Sequence, residues 1–132
     1  MNYEAYTLET LAQLGLPKIL RGCQYISSGI EYLLALDKEV IPESCMLYAF
    51  AAQKYFLEPT AIENSMRNAI QTIWATKENP ELMSQIFGTY NMDKRPCNME
   101  FLILLYNYVR WHFEGTDTLC KLEKLWHCHS GK

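Results

Sequence analysis

One stretch decides the fold: EPTAIENSMRNAIQTIWATK, residues 58–77. At about 100° per residue, its large apolar side chains share one face of a helix, and a stripe this wide predicts that the helix is anchored in a core. The stripe consists of Ile62, Met66, Ala69, Ile70, Ile73 and Trp74. Pro59 suits a first helical position, whereas Thr60 and Glu63 have the spacing of a capping box, so the helix begins at one or the other.

The opposite face of this helix is small, neutral and rich in amide side chains, with Arg67 on its flank. It consists of Ala61, Asn64, Ser65, Asn68, Gln71, Thr72 and Ala75. A merely solvated helix would usually carry Lys and Glu there. Asn and Gln can pair with adenine N6 and N7, and Ala and Thr can touch a thymine methyl, so this face is chemically able to recognise base edges.

Apolar residues recur at intervals of three and four along the rest of the chain, and the alternation typical of strands is scarce. We predict helices over Ala5–Leu14, Pro17–Leu36, Pro42–Tyr55, Pro59–Lys77, Pro80–Phe87, Asn98–Phe113 and, last and short, Asp117–His127. The sequence therefore predicts a single all-α domain. The third and fourth helices are joined by Phe56–Glu58, a connection short enough for a helix-turn-helix.

Length and composition bound the class of protein. The chain has 132 residues, 49% hydrophobic and 20% charged, which is typical of one globular domain. Its apolar runs, such as Phe101–Tyr106, are too short to span a bilayer, and its first twenty residues have no signal-peptide pattern. Five cysteines without a C-x-x-C pair indicate reduced thiols, so we expect a cytoplasmic protein.

The charge balance gives no support to DNA binding by itself. The net charge is −3, and the four charged residues of the 58–77 stretch sum to zero. Attraction to a phosphate backbone must therefore come from elsewhere. Lys94 and Arg95, in the polar loop Thr89–Cys97, are the candidates, although such a loop can equally be an ordinary solvated turn.

Three separated blocks of residues carry a family resemblance. They are Leu14–Pro17 with Leu20-Arg21-Gly22 and Tyr25-Ile26; Ile62-Glu63 with Arg67-x-Ala69-Ile70 and Trp74; and Phe87-Gly88 with Pro96, Asn98 and Glu100-Phe101. In order and spacing the chain resembles the C-terminal DNA-binding effector domain of stage-zero sporulation protein A, a response regulator. The resemblance implies a bundle of six helices whose third and fourth form the helix-turn-helix. We expect that domain over residues 1–114, without the receiver domain, and a C-terminal extension over residues 115–132.

The resemblance also implies a sequence-specific transcription regulator that binds promoter sites on double-stranded DNA, contacts RNA polymerase and pairs as a homodimer on DNA. Where the family presents arginines and a histidine to DNA, this chain has Ala61, Asn64, Arg67 and Asn68, which implies a different target sequence. The candidate DNA-binding residues are Asn64, Arg67, Asn68 and Gln71 on the helix, and Lys94 and Arg95 in the loop.

Two other classes of function compete with this one. A relative that has lost DNA binding and serves as a protein interaction module or antagonist would suit the acidic balance. An enzyme has thin support, because no nucleophile signature or glycine-rich phosphate loop occurs. The spacing of Cys120, His127, Cys128 and His129 matches no common zinc pattern. We therefore expect no enzymatic activity, no cofactor and no metal.

Overall fold

A computed structural model of the protein describes residues 2–36 and 39–112, most of which are helical. The elements are α1 (Tyr3–Gln13), α2 (Arg21–Ala35), α3 (Ser44–Tyr55), α4 (Pro59–Thr76), α5 (Pro80–Phe87), the 3-10 helix Thr89–Met92 and α6 (98–112). No strand occurs in the two described ranges, which confirms the all-α class. The predicted helix Asp117–His127 lies outside them. Among the helices described, none is long and apolar enough to cross a bilayer.

Helix α4 packs against both α2 and α3. All six residues of the apolar stripe predicted from residues 58–77 are buried, and Ile62, Met66, Ile70 and Ile73 have no exposed surface at all. Burying a side chain of this size is worth about 1.5–3 kcal/mol. The prediction of the inward face is confirmed, and this stripe holds α4 in place.

The start of α4 follows the proline and not the capping box. Pro59 occupies the first turn, the N-cap Glu58 makes no side-chain bond, and Thr60 already lies inside the helix. The capping-box interpretation was therefore wrong. In a capping box, the Glu63 side chain would bond back to the start of the helix. Here the Glu63 carboxylate instead accepts a hydrogen bond from Arg67, one turn later, at 2.7 Å.

The connection between α3 and α4 is the predicted Phe56–Glu58. It turns sharply because Phe56 is left-handed, with φ 57° and ψ 47°, and its side chain is 93% exposed. A left-handed backbone costs a residue with a Cβ roughly 1–2 kcal/mol, which is why glycine is the usual choice at such a point. The tight turn brings the two helices of the pair directly together.

Several helix starts differ from the predicted ones for local reasons. Helix α1 begins before Ala5, because the Asn2 side-chain oxygen accepts from the Ala5 N–H at 2.7 Å and caps the helix earlier. Helix α2 begins only at Arg21, because the Leu20 N–H donates to the carbonyl of Pro17 at 3.0 Å and closes a separate turn.

Helix α6 begins at Asn98, the first residue of the predicted range. The Cys97 carbonyl accepts the N–H of Phe101 at 2.9 Å, so Asn98 is the first helical residue and not the N-cap. Its buried side chain instead donates to the carbonyl of Glu63 at 3.1 Å. This bond ties the beginning of α6 to α4.

A cluster of aromatic rings joins α4 to the last part of the bundle. The Trp74 ring centroid lies 5.0 Å from that of Phe87 and 6.0 Å from that of Phe101. The Trp74 indole N–H donates to the carbonyl of Asn91 at 2.6 Å, and the Asn91 amide donates to the carbonyl of Phe87 at 2.7 Å. These two buried bonds hold the 3-10 helix, and so set where the polar loop after it begins.

Candidate nucleic-acid interface

The outward face of α4 presents a row of exposed amide side chains. Asn64, Asn68 and Gln71 follow one another at intervals of four and three residues, and all three are exposed. The Thr72 hydroxyl is exposed too, but it donates to the carbonyl of Asn68 at 3.0 Å. Ser65, which the sequence placed on the same face, is half-buried. The row is therefore narrower than predicted, and it consists mainly of amides.

Arg67 does not stand free beside this row. Its guanidinium donates from Nη2 to Glu63 Oε1 at 2.7 Å and from Nη1 to Asn64 Oδ1 at 3.0 Å. The side chains of Arg67 and Glu63 are 42% and 37% exposed, so water screens the ion pair and it contributes only about 0.3–0.5 kcal/mol to stability. The ion pair nonetheless offsets the arginine charge. The second bond uses the oxygen of Asn64 as an acceptor, and the Asn64 NH₂ donors stay available.

Arg95 lies on the same side of the molecule as Arg67. Both line a hollow of about 280 Å³ together with Tyr48 of α3 and Asn98 of α6. Burial raises the pKa of the Tyr48 phenol, so its hydroxyl stays protonated at neutral pH and is able to donate a hydrogen bond. The structure thus brings together two cations that are 28 positions apart in the chain.

Lys94 is exposed and lies farther out. It lines a second hollow of about 410 Å³ with Arg95, Asn91 and Glu100, but it is not among the residues that surround Arg67. Of the two loop cations predicted to act together, Arg95 therefore shares a hollow with Arg67 of α4, whereas Lys94 does not.

A further cation, Arg21, borders the amide row and was missed by the sequence analysis. With Asn68 and Thr72 it lines a hollow of about 360 Å³ between the start of α2 and α4. The helices approach closely there because residue 22 is glycine. A Cβ on Gly22 would lie 2.9 Å from the Ala69 Cβ and 3.0 Å from the carbonyl oxygen of Ser65.

A signal for this arrangement was present in the sequence. A glycine inside an otherwise helical pattern often marks a close approach of another backbone, and Gly22 directly follows Arg21. The prediction of α2 rested on its apolar period alone and did not use this signal, so Arg21 was not connected to α4.

Comparison with known protein families identifies the fold and its class of function. Residues 7–109 match the family described as the sporulation initiation factor Spo0A C terminal. The chain belongs to this family. The match includes the whole of α2, α3 and α4, and the loop with Lys94 and Arg95. Spo0A C-terminal domains are DNA-binding effector domains of transcription regulators in sporulation, so the resemblance seen in the sequence is confirmed.

Membership in the Spo0A C-terminal family assigns the chain to DNA-binding regulators, which are not a known enzyme family. The residues that could suggest a metal site, Cys120, His127, Cys128 and His129, lie outside the described ranges. Within residues 2–36 and 39–112, no three His, Cys, Asp or Glu side chains are grouped so that they could hold a metal ion together. The three cysteines described there, Cys23, Cys45 and Cys97, are free thiols.

Proposed function

We propose that this domain binds promoter sites on double-stranded DNA sequence-specifically, with α4 lying in the major groove. The observation that carries the proposal is the exposed amide row of α4 with cations on both sides. Arg21 borders it from α2, and Arg67 and Arg95 lie on its other side. The major groove admits an α-helix, and amide side chains are suited to pair with adenine there.

Asn68 and Gln71 are the base-reading residues in this proposal. Neither side chain contributes to the core, and each offers both a donor and an acceptor, which a bidentate contact to adenine N6 and N7 requires. Asn64 has a lesser role, because its oxygen already accepts one hydrogen bond from Arg67, which restricts how the amide can face a base. A good bidentate contact is worth about 1–3 kcal/mol of discrimination.

The phosphate backbone on either side of the groove is held by four cations: Arg21, Arg67, Lys94 and Arg95. Because the whole chain carries a net charge of −3, its attraction to DNA is local to this side of the molecule. Binding should therefore weaken steeply as salt is added. The resemblance to sporulation effector domains further supports pairing of two copies on DNA and contact with RNA polymerase.

The test begins with selection of bound duplexes from a random pool at low salt, followed by affinity measurements on the selected sequence over a range of salt concentrations. Asn68→Ala should relax the sequence preference and leave the salt dependence unchanged, because a neutral amide releases no counterions. Replacing Lys94 and Arg95 together by Ala should weaken binding to every sequence and flatten the plot of log affinity against log salt by about 2 units.

Lys54→Ala is the matched control for the loss of positive charge. Lys54 is exposed like Lys94, but it pairs with Glu31 and lines a hollow beside α1, away from the amide row. Its replacement should leave the salt slope unchanged. Equal, sequence-independent losses in the Asn68 and the Lys94/Arg95 variants would contradict the division of roles. Failure of the parent protein to bind any duplex at low salt would overturn the proposal itself.

A further inference from the structure

A hollow of about 300 Å³ is lined by residues of α1, α2 and α3, and by none of the amide row on α4. One wall is apolar and consists of Ile30 and Leu34, on successive turns of α2. Two carboxylates border it, those of Glu4 in the first turn of α1 and of Glu31 in α2. Ligand sites of about 300–1,000 Å³ combine apolar walls with a few polar groups in the same way, so this hollow has the size of a small one.

Ser27 of α2 supplies a hydroxyl that no protein group uses. The residue is only 8% exposed and lines the hollow. In the part of the chain that the structure describes, its Oγ makes no hydrogen bond, although no fully buried side-chain oxygen or nitrogen there lacks a partner. The Ser27 Oγ is therefore reached from the hollow. The neighbouring Ser28, by contrast, donates to the Tyr55 hydroxyl at 3.2 Å. A nearly buried hydroxyl left open in this way points to a ligand.

The charges around the hollow favour a cation. Lys54 Nζ lies 2.9 Å from Glu31 Oε2. The hydrogen bond to Glu31 raises the pKa of the Lys54 ammonium and the charge of Glu4 adds to this rise, so both carboxylates lie near Lys54. Two carboxylates against one ammonium leave the lining with a net charge of −1, which disfavours an anion. A metal ion would lack ligands, because the described residues hold no group of three His, Cys, Asp or Glu side chains.

We propose that this hollow binds a small primary alkylammonium ion, a ligand with one charged amine and a short apolar chain. An ammonium group has three N–H donors, and the hollow offers three acceptor groups, the Ser27 hydroxyl and the two carboxylates. A carboxylate accepts several hydrogen bonds, so Glu31 is able to hold Lys54 and the ligand together. The alkyl chain would lie against Ile30 and Leu34. Such a ligand gives the open hydroxyl a partner and offsets the excess negative charge.

The test uses pentylammonium chloride, titrated into the isotope-labelled full chain while amide NMR signals are recorded. The signals of Ser27 and Ile30 should move until they reach a plateau, whereas those of Asn68 and Gln71 should not move. Pentanol has the same chain without the charge and should not produce these shifts. Aminopentanoate carries a carboxylate at the far end of the chain. Tighter binding of aminopentanoate than of pentylammonium would show that Lys54 recruits a carboxylate, and would overturn the assignment to an alkylammonium ion.

Ser27→Ala tests the open hydroxyl directly. It should weaken pentylammonium binding by about tenfold, because a hydrogen bond to a charged group is lost. The melting temperature should not fall, because the hydroxyl has no partner in the described part of the protein and alanine favours a helix. Ser84→Ala is the matched control, since Ser84 is half-buried in α5 and does not line the hollow. It should leave the affinity unchanged.

Glu4→Gln tests the charge. It should weaken binding only about threefold, because Glu4 is exposed and water screens its attraction. Glu81→Gln is its control: Glu81 is also exposed and also lies in the first turn of its helix, but it does not line the hollow. Equal affinities in the Ser27 and Ser84 variants would overturn the proposal, and so would the absence of a plateau in the parent protein. None of these measurements involves DNA, so they are independent of the proposed function.

Discussion

The two sides of α4 are organised by different parts of the molecule. The inner side is specified by the sequence of α4 alone, because Ile62, Met66 and Ile73 recur at the helical period and so form one apolar face. All three are buried. The outer side has one cation of its own, Arg67, and gains two from elsewhere: Arg21 comes from α2 and Arg95 from the loop before α6. A helix can thus specify its own buried face while its neighbours contribute charged side chains beside its exposed face.

The largest loss of stability is expected when the largest residue of the inner side, Trp74, is replaced. Trp74→Ala should lower the free energy of unfolding by about 3–5 kcal/mol, because it empties the aromatic cluster and leaves the Asn91 carbonyl without its donor. Denaturant titration measures the loss. Gln71→Ala, on the exposed side of the same helix, is the control and should change stability by less than about 0.5 kcal/mol. Equal losses in the two variants would mean that the faces of α4 are assigned wrongly.

The close approach of α2 to α4 at Gly22, which brings Arg21 beside the amide row, can be tested by adding a methyl group there. Gly22→Ala should cost about 1–3 kcal/mol, because the new methyl group meets the Ala69 Cβ and the Ser65 backbone, neither of which can move aside. Gly29→Ala is the control within the same helix. Its methyl group would meet only the flexible ends of Leu102 and Leu47, so helix propensity should offset the cost. A Gly22→Ala protein as stable as the parent would contradict the close approach.

Removing Arg21 tests whether the outer side depends on α2. Arg21→Ala should leave the melting temperature unchanged, since the side chain is exposed. It should weaken binding to the selected duplex and reduce its salt slope by about one unit, as one phosphate contact is lost. An unchanged slope would exclude Arg21 from the interface.

The smallest expected effect concerns the ion pair between Arg67 and Glu63. Glu63→Gln should lower stability by no more than about 0.5 kcal/mol, because the pair is partly exposed. It should raise DNA affinity at low salt, because the Arg67 charge is no longer offset. The Glu63 carbonyl bond from Asn98 is a backbone contact and remains in this variant. Weaker DNA binding would indicate that the carboxylate is needed to orient the arginine.

Local signals in the sequence carried the prediction of the helices. The buried stripe of α4 follows from period alone. Helix α5 has the predicted bounds, Pro80–Phe87, because Asn79 caps its start and Gly88 follows its end. Starts were misplaced where a local bond competed, as at Asn2 and Leu20. The signal at Asn2 was overlooked, since asparagine is a preferred N-cap residue, whereas the turn before α2 depends on a backbone bond from Leu20 to Pro17.

The candidate site was only partly predictable, because its parts meet through tertiary contacts. Asn68 and Gln71 were predicted to be exposed from their face of the helix, and both are exposed. The pairing of Arg67 with Glu63 was visible as an i, i+4 spacing and was overlooked. The position of Arg95 beside Arg67 was not visible, because it depends on two long-range bonds, those from Trp74 to Asn91 and from Asn98 to Glu63.

The hydrogen bond from Trp74 to Asn91 gives the protein an optical reporter of its own. A buried indole emits at shorter wavelength than one in water, and Trp74 is 8% exposed whereas Trp111 is 48% exposed. If the 3-10 helix moves away from α4, water reaches the Trp74 indole and its emission shifts to the red. Fluorescence from a protein that keeps tryptophan only at position 74 would therefore follow the movement of the basic loop in real time, without any attached dye.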